Sequence, residues 1–527
     1  MGRGQALALV ACAALSGAAI ASVVRGASGG LLAAGAAVGL VVGGWICLRQ
    51  GVTLPGDRLE AAALVVPAAA FLIPLLTMPV APGADMAMHA ALGRALMEGS
   101  DALSPAWGSV SATLYPKGMS ALIALTAPVL GIAKASLLAA GVSYLVVVAG
   151  LAAFLHEALR LPRPFALAAL AVLASKSPQS FFGWGGNPTA MAFGLALFAM
   201  ALLARAWRGE PSPISSAIGA SALLLGAAAT HPTGALAGLC AAAALPIMLG
   251  RPTKAGLGAC LAALAVFGAG LAALWLGGPT LSAAEVAWIS DYQRDVEAVL
   301  HGPRALFAIT VWPAMVERLG PGWTIAAGAA SLGLLAAGQW RRVAGALAAI
   351  VAIGALLALG PLIPKAGVLF YPVRFAPLLL VATVPLVGWA LEALAHRSSR
   401  LAAAVVLGLA AMAVVVNVRT YQRATPMATR NDLQAIACAA QVVPKTAVIQ
   451  GAYGDATQWI PALTGLAVTA AHPHISLNDE IRAQPSLAPS HLFLGERLVY
   501  GSAIVPKTLV DKPLCSSGKA FLYINVP

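Results

Sequence analysis

Charged side chains are scarce in this sequence. Only 10% of its 527 residues are Asp, Glu, Lys or Arg, whereas 60% are apolar and the mean hydropathy is +0.86. A water-soluble domain carries roughly 25% charged residues, so these are too few to cover a soluble globule. The abundant Ala and Gly suit helices that pack closely in lipid. The composition therefore predicts a protein that crosses the membrane several times.

Clustered charge is missing as well. The net charge is +13, but Lys and Arg stand singly or in pairs between apolar runs, which excludes a nucleic-acid partner. None of the nineteen acidic residues lies near the centre of an apolar run. Proton-coupled carriers usually keep a carboxylate or His inside the helix bundle, so this absence argues against a proton-driven transporter.

Apolar runs predict thirteen membrane-spanning helices. A hydrocarbon core about 30 Å thick needs roughly 20 apolar residues per helix. The runs that qualify are 5–24, 29–48, 59–80, 135–156, 164–182, 188–206, 213–230, 234–250, 255–277, 322–339, 343–363, 374–395 and 401–418. No clear cleavage site follows the first run, so we interpret it as a span and not a signal peptide. Segment 119–133 is short and contains Pro128, and we interpret it as an interfacial or re-entrant helix.

The basic residues predict the orientation of these spans. Cytoplasmic loops carry an excess of Lys and Arg. One set of span ends contains Arg3, Arg49, Arg58, Arg160, Arg163, Arg205, Arg208, Arg251, Lys254, Arg341, Arg342, Arg397 and Arg400. This set predicts an inside N-terminus and an outside C-terminus, with the long loops 81–134 and 278–321 outside. The assignment holds only if segment 119–133 does not cross the bilayer.

The composition changes after residue 418. Residues 419–527 contain charges, Asn, Gln and His, with short β-like runs at 446–450 and 520–525. A segment of about 110 residues is long enough for a small α/β domain. We therefore predict an all-α polytopic membrane domain over 1–418, with interfacial helices in the first outer loop, followed by an extracytoplasmic α/β domain over 419–527.

Two cysteines lie outside the predicted spans, Cys438 and Cys515. The other four lie in apolar runs at positions 12, 47, 240 and 260. A cysteine pair in an outward-facing domain is typical of a disulfide, so we expect one between Cys438 and Cys515. Two unpaired thiols are the alternative.

Asp85 is the most informative acidic residue. It follows the third span, where the chain begins an amphipathic helix, and His89 lies one turn later on the same face. A carboxylate at the outer membrane surface, beside a His, can accept a proton from a hydroxyl nucleophile. The alternative is that Asp85 only caps the helix that follows it.

Further candidate binding residues belong to the same outer side. Tyr115-Pro-Lys-Gly118 begins the short apolar helix and places Lys117 at the outer interface. The second outer loop, 176–188, contains Trp184 and Asn187 among glycines and aromatics, a composition typical of a ligand-binding loop. An interfacial aromatic belt would have the same composition.

Other cations are predicted at the outer ends of later spans. His231 follows the seventh span, Lys365 and Tyr371 precede the twelfth, and Arg374 begins it. An Arg that faces the bundle can hold a phosphate with two hydrogen bonds. Extension of the side chain to the lipid headgroups is the alternative for Arg374.

Together these features resemble the GT-C superfamily, integral-membrane glycosyltransferases that use polyprenyl-phosphate sugars on the outer face. The matching features are Asp85 with His89, the Tyr-Pro-x-Gly at 115–118, a loop before the sixth span, His231-Pro232, Arg374, and a soluble C-terminal domain. The segment Trp459-Ile-Pro-Ala-Leu-Thr-Gly465 is similar to a stretch of bacterial members.

The second outer loop departs from the oligosaccharyltransferase-like members of that superfamily. Those members place a second acidic motif there to complete a metal site, whereas 177–190 has no Asp or Glu and Asn187 stands in its place. A divalent cation usually needs more than one carboxylate, or substrate phosphates. The sequence therefore resembles a metal-independent branch, and we expect no cofactor. A divalent metal is the alternative, which no second acidic motif supports.

The resemblance implies an inverting glycosyltransferase of the inner (cytoplasmic) membrane. Its partners would be a polyprenyl-phosphate sugar, a glycan, lipid or protein acceptor, and the bilayer. Asp85 would be the general base with His89 beside it. Lys117, His231, Lys365 and Arg374 would bind the donor phosphate, and Tyr115, Trp184, Asn187 and Tyr371 would line the substrate loop.

Two other classes remain as alternatives. A polysaccharide ligase or polymerase relies on Arg and His in a large late outer loop, and loop 278–321 contains Asp291, Arg294, His301 and Arg304. A lipid-linked-sugar flippase or another transporter predicts internal repeats and charges inside the bundle, and the sequence shows neither. If Asp85 is not the base, Asp291 and Glu285 are the next candidates.

Overall fold

The computed structural model describes most of the chain. The described residues are 3–23, 28–49, 58–98, 116–210, 212–242, 249–276, 312–359, 372–472, 475–476, 488–499 and 512–524. They form a large helical part, up to residue 423, and a smaller part that contains both strands and helices.

Helices coincide with the apolar runs because a chain in lipid must satisfy its backbone hydrogen bonds internally. The helices of this part are α1 (Arg3–Ala21), α2 (Gly29–Arg49), α3 (Arg58–Thr77), α4 (Ala84–Glu98), α5 (Gly118–Leu130), α6 (Ile132–Leu159), α7 (Pro164–Ala174), α8 (Phe181–Trp184), α9 (Asn187–Trp207), α10 (Pro213–Thr230), α11 (Pro232–Ala242), α12 (Lys254–Leu276), α13 (Trp312–Leu319), α14 (Pro321–Ala336), α15 (Trp340–Leu359), α16 (Pro372–Phe375), α17 (Leu378–Arg397) and α18 (Ser399–Arg423). Each predicted span overlaps one of them.

Seven helices within the described ranges are long and apolar enough to cross a membrane, judged by length and composition. They are α2, α6, α9, α10, α12, α17 and α18. A polytopic membrane fold is thus supported, and the count of thirteen spans stays a prediction.

One predicted span is wrong in its second half. Helix α7 ends at Ala174, not at residue 182. Pro178 cannot continue a helix, and the Gln179 side chain donates hydrogen bonds to the carbonyl oxygens of Val172 at 2.7 Å and Leu173 at 2.6 Å. These carbonyls belong to the last turn and have no partner within the helix. The second outer loop therefore begins at residue 175 and contains the short helix α8.

Helix α5 has both ends beside helix ends that the basic residues predict to be outside. A Cβ atom on Gly118 would lie 2.7 Å from Cα of Thr230, the last residue of α10. Just after the other end, Lys134 Nζ donates to the carbonyl oxygens of Leu75 at 2.6 Å and Met78 at 2.9 Å, where α3 ends. An interfacial helix requires this arrangement, in which neither end reaches the opposite side.

Helices α6 and α9 form the centre of the helical part. A Cβ atom on Gly150 would lie 2.1 Å from the carbonyl oxygen of Gly194, so glycine permits the two backbones to touch. At their C-terminal ends Arg205 lies 3.2 Å from the buried carboxylate of Glu157, and Arg160 lies 3.5 Å from it. Both helices therefore end on one side, the side predicted to be cytoplasmic.

The part after α18 is built on a five-stranded mixed sheet. The strands are β1 (Val448–Gln450), β2 (Ala467–Val468), β3 (Ala470–His472), β4 (Ile475–Ser476), β5 (His491–Leu494), β6 (Cys515–Ser517) and β7 (Ala520–Ile524). The sheet order is β2-β1-β5-β7-β6, parallel from β2 to β5 and antiparallel at β7, while β3 and β4 pair separately. The β-like runs at 446–450 and 520–525 correspond to β1 and β7.

Helix α19 (Arg430–Val442) packs on this sheet. Its N-terminus is closed by a capping box, in which Thr429 accepts a hydrogen bond from the Asp432 backbone and the Asp432 carboxylate accepts one from Thr429. A disulfide joins Cys438 of α19 to Cys515 of β6, with Cα atoms 6.0 Å apart.

Candidate functional site

The turn before Asp85 lies directly on the second outer loop. Gly83 has a φ of +86°, and a Cβ atom there would lie 2.2 Å from the carbonyl carbon of Trp184. Gly185 has a φ of +94°, and its Cβ would lie 3.0 Å from Cβ of Asp85. Glycine therefore allows both the positive φ and the close approach of the two backbones. As a result Asp85, half-buried in the first turn of α4, lies against the Trp184–Gly185 backbone.

His89 is one turn along α4 and is buried. Its Nδ1 atom lies 3.1 Å from Oγ of Ser120, near the start of α5. This contact joins the helix that carries Asp85 to the interfacial helix. His89 thus has a defined orientation, and no pattern in the sequence indicates Ser120 as its partner.

His231 and Arg374 form the second half of the site. His231 directly follows α10, and Arg374 Nη1 donates a hydrogen bond to its Nε2. The guanidinium carbon of Arg374 also lies 5.8 Å from the centre of the Trp184 ring, within the range of a cation–π contact. Trp184 therefore contacts the turn before Asp85 through its backbone and Arg374 through its ring.

Arg374 does not begin the spanning helix, contrary to the prediction. Arg374 lies in the four-residue helix α16, and the spanning helix α17 begins only at Leu378. The helix is interrupted because Pro377 lacks an N–H group and Ala376, the residue before a proline, is disfavoured in the α conformation. Arg374 thus precedes the membrane-spanning helix instead of opening it.

The electrostatics of His231 indicate which charges surround it. Burial is the main cause that lowers the pKa of its imidazole well below the usual range, and Arg374 and His89 lower it further. Asp85 acts in the opposite direction. At neutral pH the imidazole is therefore uncharged and can accept the hydrogen bond from Arg374. Groups from α4, the end of α10 and α16 thus act on one another here.

Two other predicted residues have defined surroundings. Lys117 precedes Gly118, which packs on Thr230, so it lies at the same corner of the fold as His231. Asn187 is fully buried, and its Oδ1 accepts a hydrogen bond of 2.7 Å from the hydroxyl of Tyr144. Asn187 therefore lies in the packed contact between α6 and α9.

Several candidates lie outside the described residues. They are Tyr115, Lys365, Tyr371, Glu285, Asp291, Arg294, His301 and Arg304. Their assignments stay predictions.

The α/β part contacts the helix that carries Asp85. A 3₁₀ turn, Ala456–Trp459, and helix α20 (Ile460–Thr464) pack on α4. A Cβ atom on Gly465 would lie 3.3 Å from Nε of Arg94 on α4. Segment 459–465, singled out in the sequence, therefore contacts α4. Sequence reasoning identified the segment but not what it contacts.

Among the residues that the structure describes, the donor groups near Asp85 do not form a divalent-cation centre. Asp85 supplies one carboxylate, and the residues that act electrostatically with it on His231 include the cationic Arg374. In the part of the chain that the structure describes, no group of three or more His, Cys, Asp or Glu side chains is placed to hold a metal ion.

Comparison with known proteins identifies the fold. No family model matches the sequence, and no curated protein matches it. Among solved structures, the fold is similar to that of the Archaeoglobus fulgidus oligosaccharyltransferase, whose structure is a complex with Zn and sulfate. The TM-score is 0.52 at 13% sequence identity, over 82% of this chain and 67% of that one. At this identity the likeness shows a shared fold and nothing finer.

Proposed function

We propose that this chain is a membrane glycosyltransferase that moves a sugar from a polyprenyl-phosphate donor to an acceptor hydroxyl at the outer face of the cytoplasmic membrane. One observation carries the proposal: Trp184 joins Asp85 to the His231–Arg374 pair. The backbone of Trp184 lies against the turn before Asp85, its ring lies beside Arg374, and Asp85 acts electrostatically on His231. The similarity of the fold to an oligosaccharyltransferase supports the reaction class.

In this proposal Asp85 is the general base. Its carboxylate accepts the proton of the acceptor hydroxyl while the hydroxyl oxygen forms a bond to the anomeric carbon of the sugar. The bond from that carbon to the phosphate oxygen breaks, and the polyprenyl phosphate leaves with the electron pair. A single displacement of this kind inverts the anomeric centre. General-base catalysis typically contributes about 10²- to 10⁴-fold in rate.

Arg374 is suited to stabilise the departing phosphate. Its Nε atom is buried and has no hydrogen-bond partner among the described residues, while Nη1 is engaged with His231. A buried donor without a partner is costly, so a phosphate oxygen at that position would remove the cost and form a charge-assisted hydrogen bond. The Trp184 ring fixes the orientation of the guanidinium. Lys117 and Lys365 are proposed to add positive charge to the same phosphate.

The test is sugar transfer by the purified full-length chain. Radiolabelled polyprenyl-phosphate sugars are incubated with glycan, lipid and peptide acceptors, and donor binding is measured separately. Asp85→Asn keeps the size of the side chain, and we expect at least 100-fold lower turnover with unchanged donor binding. Glu98→Gln is the matched control, because Glu98 is an exposed acid on the same helix, and it should keep the wild-type rate.

Arg374→Ala should instead weaken donor binding, by about 10- to 100-fold, since a charge-assisted hydrogen bond is worth about 1.5–3 kcal/mol. If Asp85→Asn retains more than a tenth of the wild-type rate, the base lies elsewhere. Transfer of preassembled chains from diphosphate donors alone would favour a ligase or polymerase. Transbilayer movement of the donor without transfer would favour a flippase.

A further inference from the structure

An apolar crevice lies between α14, α17 and α18 and shares no residue with the site around Asp85. Its volume is about 250 Å³. Its walls are Ala, Gly, Val and Leu side chains, with one charged residue, Arg397. Along α14 the lining runs from Ala326 to Ala337, which is about 16 Å at 1.5 Å per residue. The crevice is therefore long, narrow and charged at one end only.

The crevice opens on the side of the helices that points away from the rest of the helical part. Ala329 and Val405 line it and are exposed. Gly333 also lines it, and a Cβ atom added there would have no heavy atom within 4 Å. Since α17 and α18 are both long and apolar enough to cross a membrane, this surface faces lipid in the proposed topology. The occupant of the crevice must therefore have an apolar chain.

Positive charge is concentrated at the end of the crevice marked by Arg397. Arg400 follows at the start of α18, and Arg341 and Arg342 follow Ala337 at the start of α15. Arg342 also stacks on Trp389 of α17, at 5.1 Å from the ring centre, so the start of α15 lies against α17.

These cations have no acidic partner near the crevice among the residues that the structure describes. Within the described ranges, no carboxylate lies within 4.0 Å of the Arg397 or Arg400 side chains. Glu392 is on α17 but does not line the crevice. A chain in the crevice would therefore place its head beside uncompensated positive charge.

We propose that this crevice binds an anionic phospholipid of the cytoplasmic leaflet, with an acyl chain between the helices and the phosphate at Arg397 and Arg400. Basic pockets between spanning helices on the cytoplasmic side suit anionic headgroups. The positive end is also the end that the distribution of Lys and Arg predicts to be cytoplasmic. This site is distinct from the donor site, which belongs to the outer face, and it does not depend on the proposed transfer reaction.

The charge of the headgroup is tested by lipid binding to the delipidated full-length chain, read by native mass spectrometry. Phosphatidylglycerol is compared with phosphatidylcholine of the same acyl chains, and we expect phosphatidylglycerol to bind more tightly. Arg397→Gln should weaken phosphatidylglycerol binding about fivefold, which corresponds to about 1 kcal/mol per basic residue near a membrane surface. Arg251→Gln is the control, since Arg251 is an exposed Arg on the same predicted side but far from this crevice in sequence and not part of its lining.

The crevice itself is tested by filling it. Gly333→Leu projects into the open space and should lower the number of bound phosphatidylglycerol molecules by one. Gly328→Leu, on the same helix with equally open space but outside the lining, should not. Equal binding of the two lipids, or no effect of both Arg397→Gln and Gly333→Leu, would overturn the proposal. A dimer that Gly333→Leu dissociates would also overturn it, because a second copy would then cover the crevice.

Discussion

Replacing Gly83 by Ala separates the turn that carries Asp85 from the second outer loop. The new Cβ would lie 2.2 Å from the carbonyl carbon of Trp184, whereas ordinary contacts begin at 3.4 Å. The two loops must therefore move apart by about 1.2 Å. A misplacement of about 1 Å at a reacting centre can cost about 100-fold in rate, so we expect turnover to fall by that factor.

The energetic cost of Gly83→Ala is confined to the turn before Asp85. A residue with a side chain at a φ of +86° costs about 1–3 kcal/mol, and overpacking adds about 1–3 kcal/mol. Movement of the turn relieves part of the backbone strain and part of the overpacking, so the chain should stay folded. Turnover is measured at saturating donor, to separate the rate of the chemical step from donor affinity, and size-exclusion chromatography confirms folding.

The matched control is Gly250→Ala. Gly250 also has a positive φ, +71°, but a Cβ there would meet no heavy atom within 4 Å. This variant therefore includes the backbone strain without the collision. If Gly83→Ala transfers sugar as fast as Gly250→Ala, the contact between the two loops does not position Asp85, and the role assigned to that contact is wrong.

Three further predictions concern topology, the disulfide and pH. A single cysteine introduced within 158–163 should be labelled only from the cytoplasmic side; labelling from outside would contradict the orientation of every span. Replacing Cys438 and Cys515 together by Ser should lower the unfolding free energy of the α/β part by about 4.5 kcal/mol, from loop closure over 77 residues, as measured by pulse proteolysis in urea, and a loss below about 1 kcal/mol would refute this. Burial raises the pKa of Asp455 from 3.8 to about 6. The stability that protonation of Asp455 contributes is therefore fully present below about pH 4 and is lost as the pH rises through 6. Asp455→Asn should remove that pH dependence, as measured by hydrogen exchange of the neighbouring amides, and an unchanged profile would assign it to another group.

The positions of the helices could largely be predicted from the sequence, because the thickness of the bilayer and the need for internal hydrogen bonds limit apolar runs to helices. One exception was 164–182, where hydropathy counts Phe181 and Phe182 as a continuation of the span. The helix stops earlier because Pro178 interrupts it and the Gln179 side chain completes the hydrogen bonds of its last turn. These two hydrogen bonds form because the chain folds back after Ala174, and hydrophobic periodicity does not predict such a turn.

The residue types of the candidate site could also be selected from the sequence, because charged groups at outer helix ends are few. Their partners could not. Arg374 and His231 are 143 residues apart, and their contact depends on how α10 and α16 pack. Gly83 and Gly185 are two among 54 glycines, and only the folded chain shows that they bring the two loops together. Distance in sequence, more than chemistry, limited the prediction.

The packing of segment 456–465 on α4 has a consequence for the order in which the protein is made. Synthesis proceeds from the N-terminus, so in the proposed topology Asp85 reaches the outer surface early, whereas segment 456–465, which packs on its helix, is exported after α18 has been inserted. Until then, among the described residues, the contacts of α4 are with α2, α5, α6 and α8. A chain stalled during insertion would carry the carboxylate without the support of its helix. Under the proposed function, activity would begin only once export is nearly finished, and a half-inserted protein would not transfer sugar to nearby molecules.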